Sequence, residues 1–161
     1  MPQNWGTRVT VAYGEGDVND APRVVESEVR VRYAETDAEG VVYYANYLVY
    51  MEVGRVDFLR ALGIDRRQLD RSDIGLVIVE ASCRYRAPAR FDDLLVVRTW
   101  VQDVRRATFT FVYEILNGED EHLLATGRTV QVFADLRTMR STRLPPEIRG
   151  ALCHASAPPS R

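Results

Sequence analysis

The segment Tyr33-Ala34-Glu35-Thr36-Asp37-Ala38-Glu39-Gly40-Val41-Val42-Tyr43-Tyr44-Ala45-Asn46-Tyr47 marks a change of hydrophobic period in the chain. Before it, Val25 to Tyr33 alternates, with Val29, Val31 and Tyr33 on one side and Glu28, Arg30 and Arg32 on the other, the pattern of a half-buried strand. Within it, Asp37-Ala38-Glu39-Gly40 has turn composition. After it, residues 44 to 62 contain no proline and are apolar at 47, 51, 54, 58 and 62, which predicts a long helix with Tyr47, Met51, Gly54, Phe58 and Leu62 as its core stripe. Apolar residues between these positions make that helix a buried one. Gly54 weakens a mid-helix position by about 1 kcal/mol, a loss that makes sense if the helix backbone passes close to a sheet. Gly63 is the expected C-terminal stop.

Downstream of a charged connector at residues 65 to 73, strand signals continue for more than sixty residues. Gly75 to Ala87 places Val77, Val79, Ala81, Cys83 and Tyr85 on one face; Leu94 to Val101 and Ala107 to Leu116 form a long hairpin; Asn117-Gly118 turns into a last long strand, Leu123 to Asp135. Upstream, residues 1 to 22 are an extension of turn-forming composition, with a short strand expected within Thr7 to Tyr13. Residues 23 to 140 read as one domain and 141 to 161 as a tail, in which Glu147 to Cys153 adds a helical turn. Strand, helix and then four strands joined mainly by short turns define an α+β plan: an antiparallel sheet of about five strands wrapped around one long central helix. Open sheet edges and an apolar outer face would both invite a second copy, so at least a homodimer is expected, with dimers pairing into a homotetramer.

Composition narrows the function. The 161 residues are 46% hydrophobic and 27% charged, ordinary values for one soluble globular domain. A net charge of −2, from 21 basic and 23 acidic residues, provides no global field for nucleic acid or an acidic membrane. No segment approaches the ~18 apolar residues of a membrane span, and the first residues lack a signal-like run, so a cytoplasmic location is expected. Cys83 and Cys153 do not form a disulfide pattern, and Cys83, in line with Val79 and Ala81, reads as a small buried hydrophobe. His122 and His154 fall in a turn and in the tail, a poor basis for a zinc site or a serine triad, and no metal is expected.

The quoted segment, continuing to Glu52, Arg55 and Leu59, resembles the opening of the 4-hydroxybenzoyl-CoA thioesterases and the related Tol-Pal-associated acyl-CoA thioesterases. The resemblance covers roughly residues 24 to 137, and its most specific part is the Asp-x-x-Gly-Val-Val-Tyr block. It implies the hotdog fold, with active sites at a dimer interface, and hydrolysis of a short-chain or aromatic acyl-CoA. Coenzyme A is then part of the substrate and no separate cofactor is needed. Asp37 takes the place of the family's catalytic aspartate, as nucleophile or general base; on spacing alone it reads rather as a turn or capping residue. The resemblance gives the Tyr44 backbone amide, at the helix N-terminus, the task of polarising the thioester carbonyl, although the Tol-Pal branch often has histidine at that position. Gly40 would permit the turn and a close approach of the acyl group. Val41, Tyr43, Asn46 and Tyr47 complete the substrate-binding set, Asn46 also being suited to cap or orient the first helical turn and the tyrosines to plain core packing. Arg105 and Arg106 fall where relatives present basic residues to the CoA phosphates, and would otherwise be a solvated turn. Glu52 and Arg55, at i, i+3, read as an ion pair. Acyl carrier protein thioesters, or acyl-CoA binding without turnover, are the alternatives.

Overall fold

In a computed structural model, described here for residues 8–12, 24–64 and 73–156, the elements follow the order β1 (Val9–Ala12), β2 (Val24–Arg30), α1 (Asn46–Ala61), β3 (Ile74–Tyr85), β4 (Leu94–Gln102), β5 (Thr108–Asn117), β6 (Leu123–Asp135), β7 (Arg140–Ser141) and α2 (Pro146–Ala155). All strand pairs are antiparallel, in the order β1-β2-β4-β5-β6-β3, with β7 on β6. The α+β plan holds, with seven strands in place of about five. The two additional strands are short: β1 lies inside the extension and pairs along β2, and β7 pairs only two residues of β6. The charged connector lies outside the described residues apart from Asp73. Among the described residues no helix is long and apolar enough to cross a membrane.

Helix α1 packs on one face of the sheet through Tyr47, Tyr50, Met51, Phe58 and Leu59, which join Val97, Val101, Phe109, Phe111, Tyr113, Ile115 and Phe133 in the core. The close approach expected at Gly54 is present: a Cβ there would fall on Thr99 Oγ1 and lie 2.9 Å from Val97 Cγ1. Gly127 on β6 makes the same allowance for Met51. Gly63, at φ +73°, ends the helix, its N–H bonding to Arg60 O and that of Ile64 to Leu59 O, with Leu59 and Ile64 buried together. Leu62, assigned to the core stripe, is only half-buried, because the helix has already ended at Ala61. At the C-terminal side, α2 runs for ten residues where a single turn was expected, and Leu144, Leu152 and Ala155 extend the core.

Two strand faces differ from the pattern read in the sequence. β2 ends at Arg30, and Tyr33 opens a 3-10 turn, Tyr33–Glu35, which turns its side chain out to 77% exposure. In β3 a bulge between Ile78 and Glu80 inserts one residue, so Ala81, Cys83 and Tyr85 oppose Thr129, Gly127 and Ala125 on the helix side, whereas Val77 opposes Val132 on the other. Val79, at the bulge, is 61% exposed. The outer face, expected to be apolar, is mixed: Glu26–Arg98 (2.6 Å) and Glu80–Arg128 (3.7 Å) ion pairs stand on it beside Val96, Val112 and Val130. The open edge of the 12-residue β3 is the more apolar feature, with Ile78, Val79 and Tyr85 exposed.

Candidate active site

The residues around Asp37 fold back on themselves as a small hairpin. Thr36 and Val42 form an antiparallel bridge, Asp37 N–H donates to Val41 O at 2.9 Å, and Tyr43 N–H donates to Glu35 O at 2.8 Å. Gly40 closes the turn at φ +73°, a left-handed value that a side chain resists, and its N–H donates to Asp37 O at 3.0 Å. Val42 N–H reaches Ala89 O at 2.8 Å, which fixes the hairpin against the connection between β3 and β4. From that connection the guanidinium of Arg90 donates to Gly40 O at 3.4 Å.

This turn presents one half of the Asp37 carboxylate. Oδ1 accepts the N–H groups of Glu39, at 3.0 Å, and Val41, at 3.4 Å. Oδ2 accepts no hydrogen bond among the described residues, and the side chain is half-buried. The result is a carboxylate with a fixed direction and a free oxygen.

The chain then enters α1 through Tyr44 and Ala45, a turn preceding a helix that starts at Asn46, two residues later than the sequence predicts. Ala45 occupies the N-cap and supplies no side-chain acceptor. Among the described residues neither the Tyr44 nor the Ala45 N–H has an acceptor, so unpaired donors lie at the positive end of a 16-residue helix. Asn46 does not cap; its side-chain amide donates to Glu35 O at 2.8 Å, tying the helix start to the end of the 3-10 turn.

The tyrosines divide. Tyr47 is buried, and its hydroxyl accepts the Ala89 N–H at 3.2 Å; burial is the main cause that pushes its phenol above the ordinary value. Tyr43 and Tyr44 are 44% and 62% exposed, with ring centroids 4.6 Å apart, so neither is the core residue its sequence also allowed. Val41 is half-buried in the turn. Glu52 and Arg55 form the expected pair at 2.6 Å, Arg55 being buried. Cys83 is half-buried, and burial raises its thiol pKa. Arg105 and Arg106 are exposed in the β4–β5 hairpin, at the opposite end of β4 from the Asp37 turn. The nine residues of β4 span roughly 26 Å at ~3.3 Å per step, so one chain does not bring these arginines to its own Asp37.

Three further residues take part without having been singled out in the sequence. Glu35 is only 7% exposed; burial alone would raise its pKa, but hydrogen bonds from Arg32 and Tyr50 outweigh it and hold the carboxyl below its ordinary value. Tyr50, buried on Glu35, is pushed well above the ordinary phenol value, by burial first and then by that carboxylate. Tyr85 donates to the main-chain oxygen of Tyr44. The alternation up to Tyr33 hid Glu35, whose only sequence signal is an acid two residues before Asp37.

Residues 31–152 match the family model of the thioesterase-like superfamily, and the chain belongs to that family: it is a thioester hydrolase of the hotdog fold. Among its relatives is the acyl-CoA thioesterase YbgC of Haemophilus influenzae, 35% identical over 128 residues, which are 78% of this chain and 92% of that protein. A solved 1,4-dihydroxy-2-naphthoyl-CoA thioesterase from Synechocystis superposes with a TM-score of 0.76 at 28% identity, over 81% of this chain and 96% of that one. A 4-hydroxybenzoyl-CoA thioesterase variant complexed with 4-hydroxybenzoyl-CoA shares the fold, with a TM-score of 0.74 at 22% identity over 81% of this chain and 99% of that one.

Proposed function

We propose that the chain hydrolyses a short-chain or aromatic acyl-CoA to the free acid and CoA thiol. The observation that carries this reading is the half-held Asp37 carboxylate in a turn that leads directly into a helix start with unpaired N–H groups. Thioester hydrolysis needs an oxygen nucleophile and donors for the oxygen that gains charge. Free Oδ2 of Asp37 supplies the first, either by attacking the carbonyl carbon or by taking a proton from the attacking water. In the first case an acyl anhydride forms as the C–S bond breaks, and water then cleaves the anhydride. In the second, water adds directly. In both, the Tyr44 N–H and the helix dipole stabilise the developing oxyanion, and the departing thiolate takes up a proton to become CoA thiol.

Gly40, Val41, Tyr43, Asn46 and Tyr47 shape the acyl end in this reading. The open β3 edge, with its exposed Ile78 and Val79, suits pairing with a second copy in a homodimer, which can pair again into a homotetramer. Arg105 and Arg106 then serve the CoA phosphates of a site on another copy, a placement supported by their position at the opposite end of β4 from Asp37.

The test is Asp37→Asn. The variant should fold and assemble normally and lose thiol release from acyl-CoA by about 10²–10⁴-fold. Full activity would reject the assignment.

A further inference from the structure

Glu35 sits where three parts of the site meet. Its Oε2 accepts the Arg32 main-chain N–H and the Tyr50 hydroxyl, both at 2.9 Å. Its Oε1 accepts Nε and Nη2 of Arg32 at 2.9 and 2.6 Å. Its carbonyl accepts Tyr43 N–H and Asn46 Nδ2, both at 2.8 Å. One buried residue therefore joins the end of β2, the second turn of α1 and the turn between Val42 and Asn46. None of these bonds goes to Asp37, which lies two residues along the chain.

The geometry at Tyr43 gives this arrangement its consequence. A single peptide plane carries both the Tyr43 C=O and the Tyr44 N–H, so whatever fixes the carbonyl also aims the N–H. That carbonyl accepts the Asn46 N–H at 2.9 Å, while the Asn46 side chain and the Tyr43 N–H are both anchored on Glu35. The plane is thus held on both sides, and each restraint ends at Glu35 or at Asn46, which is itself bonded to Glu35. The same residue starts the hairpin arm that presents Asp37, through the Thr36–Val42 bridge.

We propose that Glu35, braced by Arg32 and Tyr50, is the positioning residue of the thioester site, setting the direction of the Tyr44 N–H relative to the Asp37 carboxylate. The proposal rests on the reading that these two groups act on one carbonyl. Glu35 touches no reacting atom in it. A bracing role of this kind differs from a fold-supporting one: a misdirected donor loses transition-state contacts while leaving the binding of the rest of CoA intact.

The experiment uses the full chain with Glu35→Gln, which keeps the size and the main-chain carbonyl, and Tyr50→Phe, which removes only the hydroxyl. Arg32→Ala, at an exposed arginine, decides the matter if Glu35→Gln does not fold. The readouts are kcat and KM for an acyl-CoA, and the assigned Tyr44 amide resonance in a ¹H–¹⁵N spectrum. The expected result is a fall in kcat of about 10²-fold for Glu35→Gln and about tenfold for Tyr50→Phe, KM within about twofold of wild type, and a displaced Tyr44 resonance. Wild-type kcat in these variants, or a Tyr44 resonance that stays in place, overturns the proposal. Asp37→Asn run alongside separates the two claims: if that variant is inactive while Glu35→Gln is fully active, only the positioning role fails. If Asp37→Asn is active, the underlying reading fails, and the resonance still reports on Glu35.

Discussion

The hydroxyl of Tyr85, at the end of β3, donates to the main-chain oxygen of Tyr44 at 2.9 Å. This bond ties the sheet edge to the peptide following the proposed oxyanion donor, and the Tyr85 ring also stacks edge-on against Tyr47, with centroids 5.1 Å apart. Tyr85→Phe keeps the ring and removes the tether. It should lower stability by about 1 kcal/mol, the net worth of one neutral hydrogen bond, and reduce kcat by less than tenfold. Burial pushes the Tyr85 phenol up to about 12, so the donor stays protonated in neutral and mildly alkaline solution. The ratio of wild-type to variant kcat should therefore be flat across that pH range.

The role assigned to Tyr44 belongs to its backbone, and two substitutions separate it from the phenol. Tyr44→Phe retains the N–H and an exposed ring, so its kcat should stay within about threefold of wild type. Tyr44→Pro deletes the N–H, and because the residue precedes the helix, no helical hydrogen bond is lost with it. Loss of one oxyanion donor should lower kcat by about 10²–10³-fold with a thermal midpoint near that of Tyr44→Phe. Equal kinetics for the two variants would move the oxyanion site elsewhere, the Ala45 N–H being the next donor.

Glu35 makes a specific contribution to acid sensitivity. Its folded pKa lies below the unfolded one, so the unfolded chain binds the proton first as pH falls. The stabilisation is fully present above the unfolded glutamate value of about 4.3 and is lost as pH drops toward the depressed folded value. The groups facing the carboxyl are the Arg32 guanidinium, positive throughout this range, and the Tyr50 phenol, neutral throughout it. Thermal midpoints of wild type and Glu35→Gln should therefore differ most near neutral pH and converge in acid. A gap that widens on acidification would contradict the sign.

Much of this arrangement could be read from residue order, and the exceptions have local causes. Helix α1 was legible because Tyr47, Met51, Gly54 and Phe58 keep one period over a stretch without proline, and Gly63 ends it with the left-handed turn that its type suggests. Alternation likewise located β5, whose Phe109, Phe111, Tyr113 and Ile115 are all buried. Val79 was misplaced because a bulge adds one residue without any signal in a run of apolar side chains. Tyr33 was misplaced because the 3-10 turn preserves its alternation while changing the backbone beneath it. Asp37 was singled out through the block around it, whereas Glu35 was passed over. Its partners, Arg32, Tyr43, Asn46 and Tyr50, converge only after the chain has reversed, and no periodicity records that convergence.

The separation between Arg105–Arg106 and Asp37 can be turned into a test of which copy feeds which site. The Arg105→Ala, Arg106→Ala double variant should raise KM for acyl-CoA several-fold with kcat near wild type, since in the proposed reading the arginines contact a remote part of the substrate. Asp37→Asn should be inactive alone. When the two variants are unfolded together and reassembled, a mixed assembly contains sites that combine Asp37 from one chain with both arginines from another. Such sites have wild-type composition, so at low substrate the mixture should turn over faster than the mean of its two parents. If the arginines served their own chain's Asp37, every site would lack one or the other, and the mixture would equal that mean. The roughly 26 Å span of β4 favours recovery, because a phosphate held at the hairpin of one chain is far from the carboxylate in the same chain.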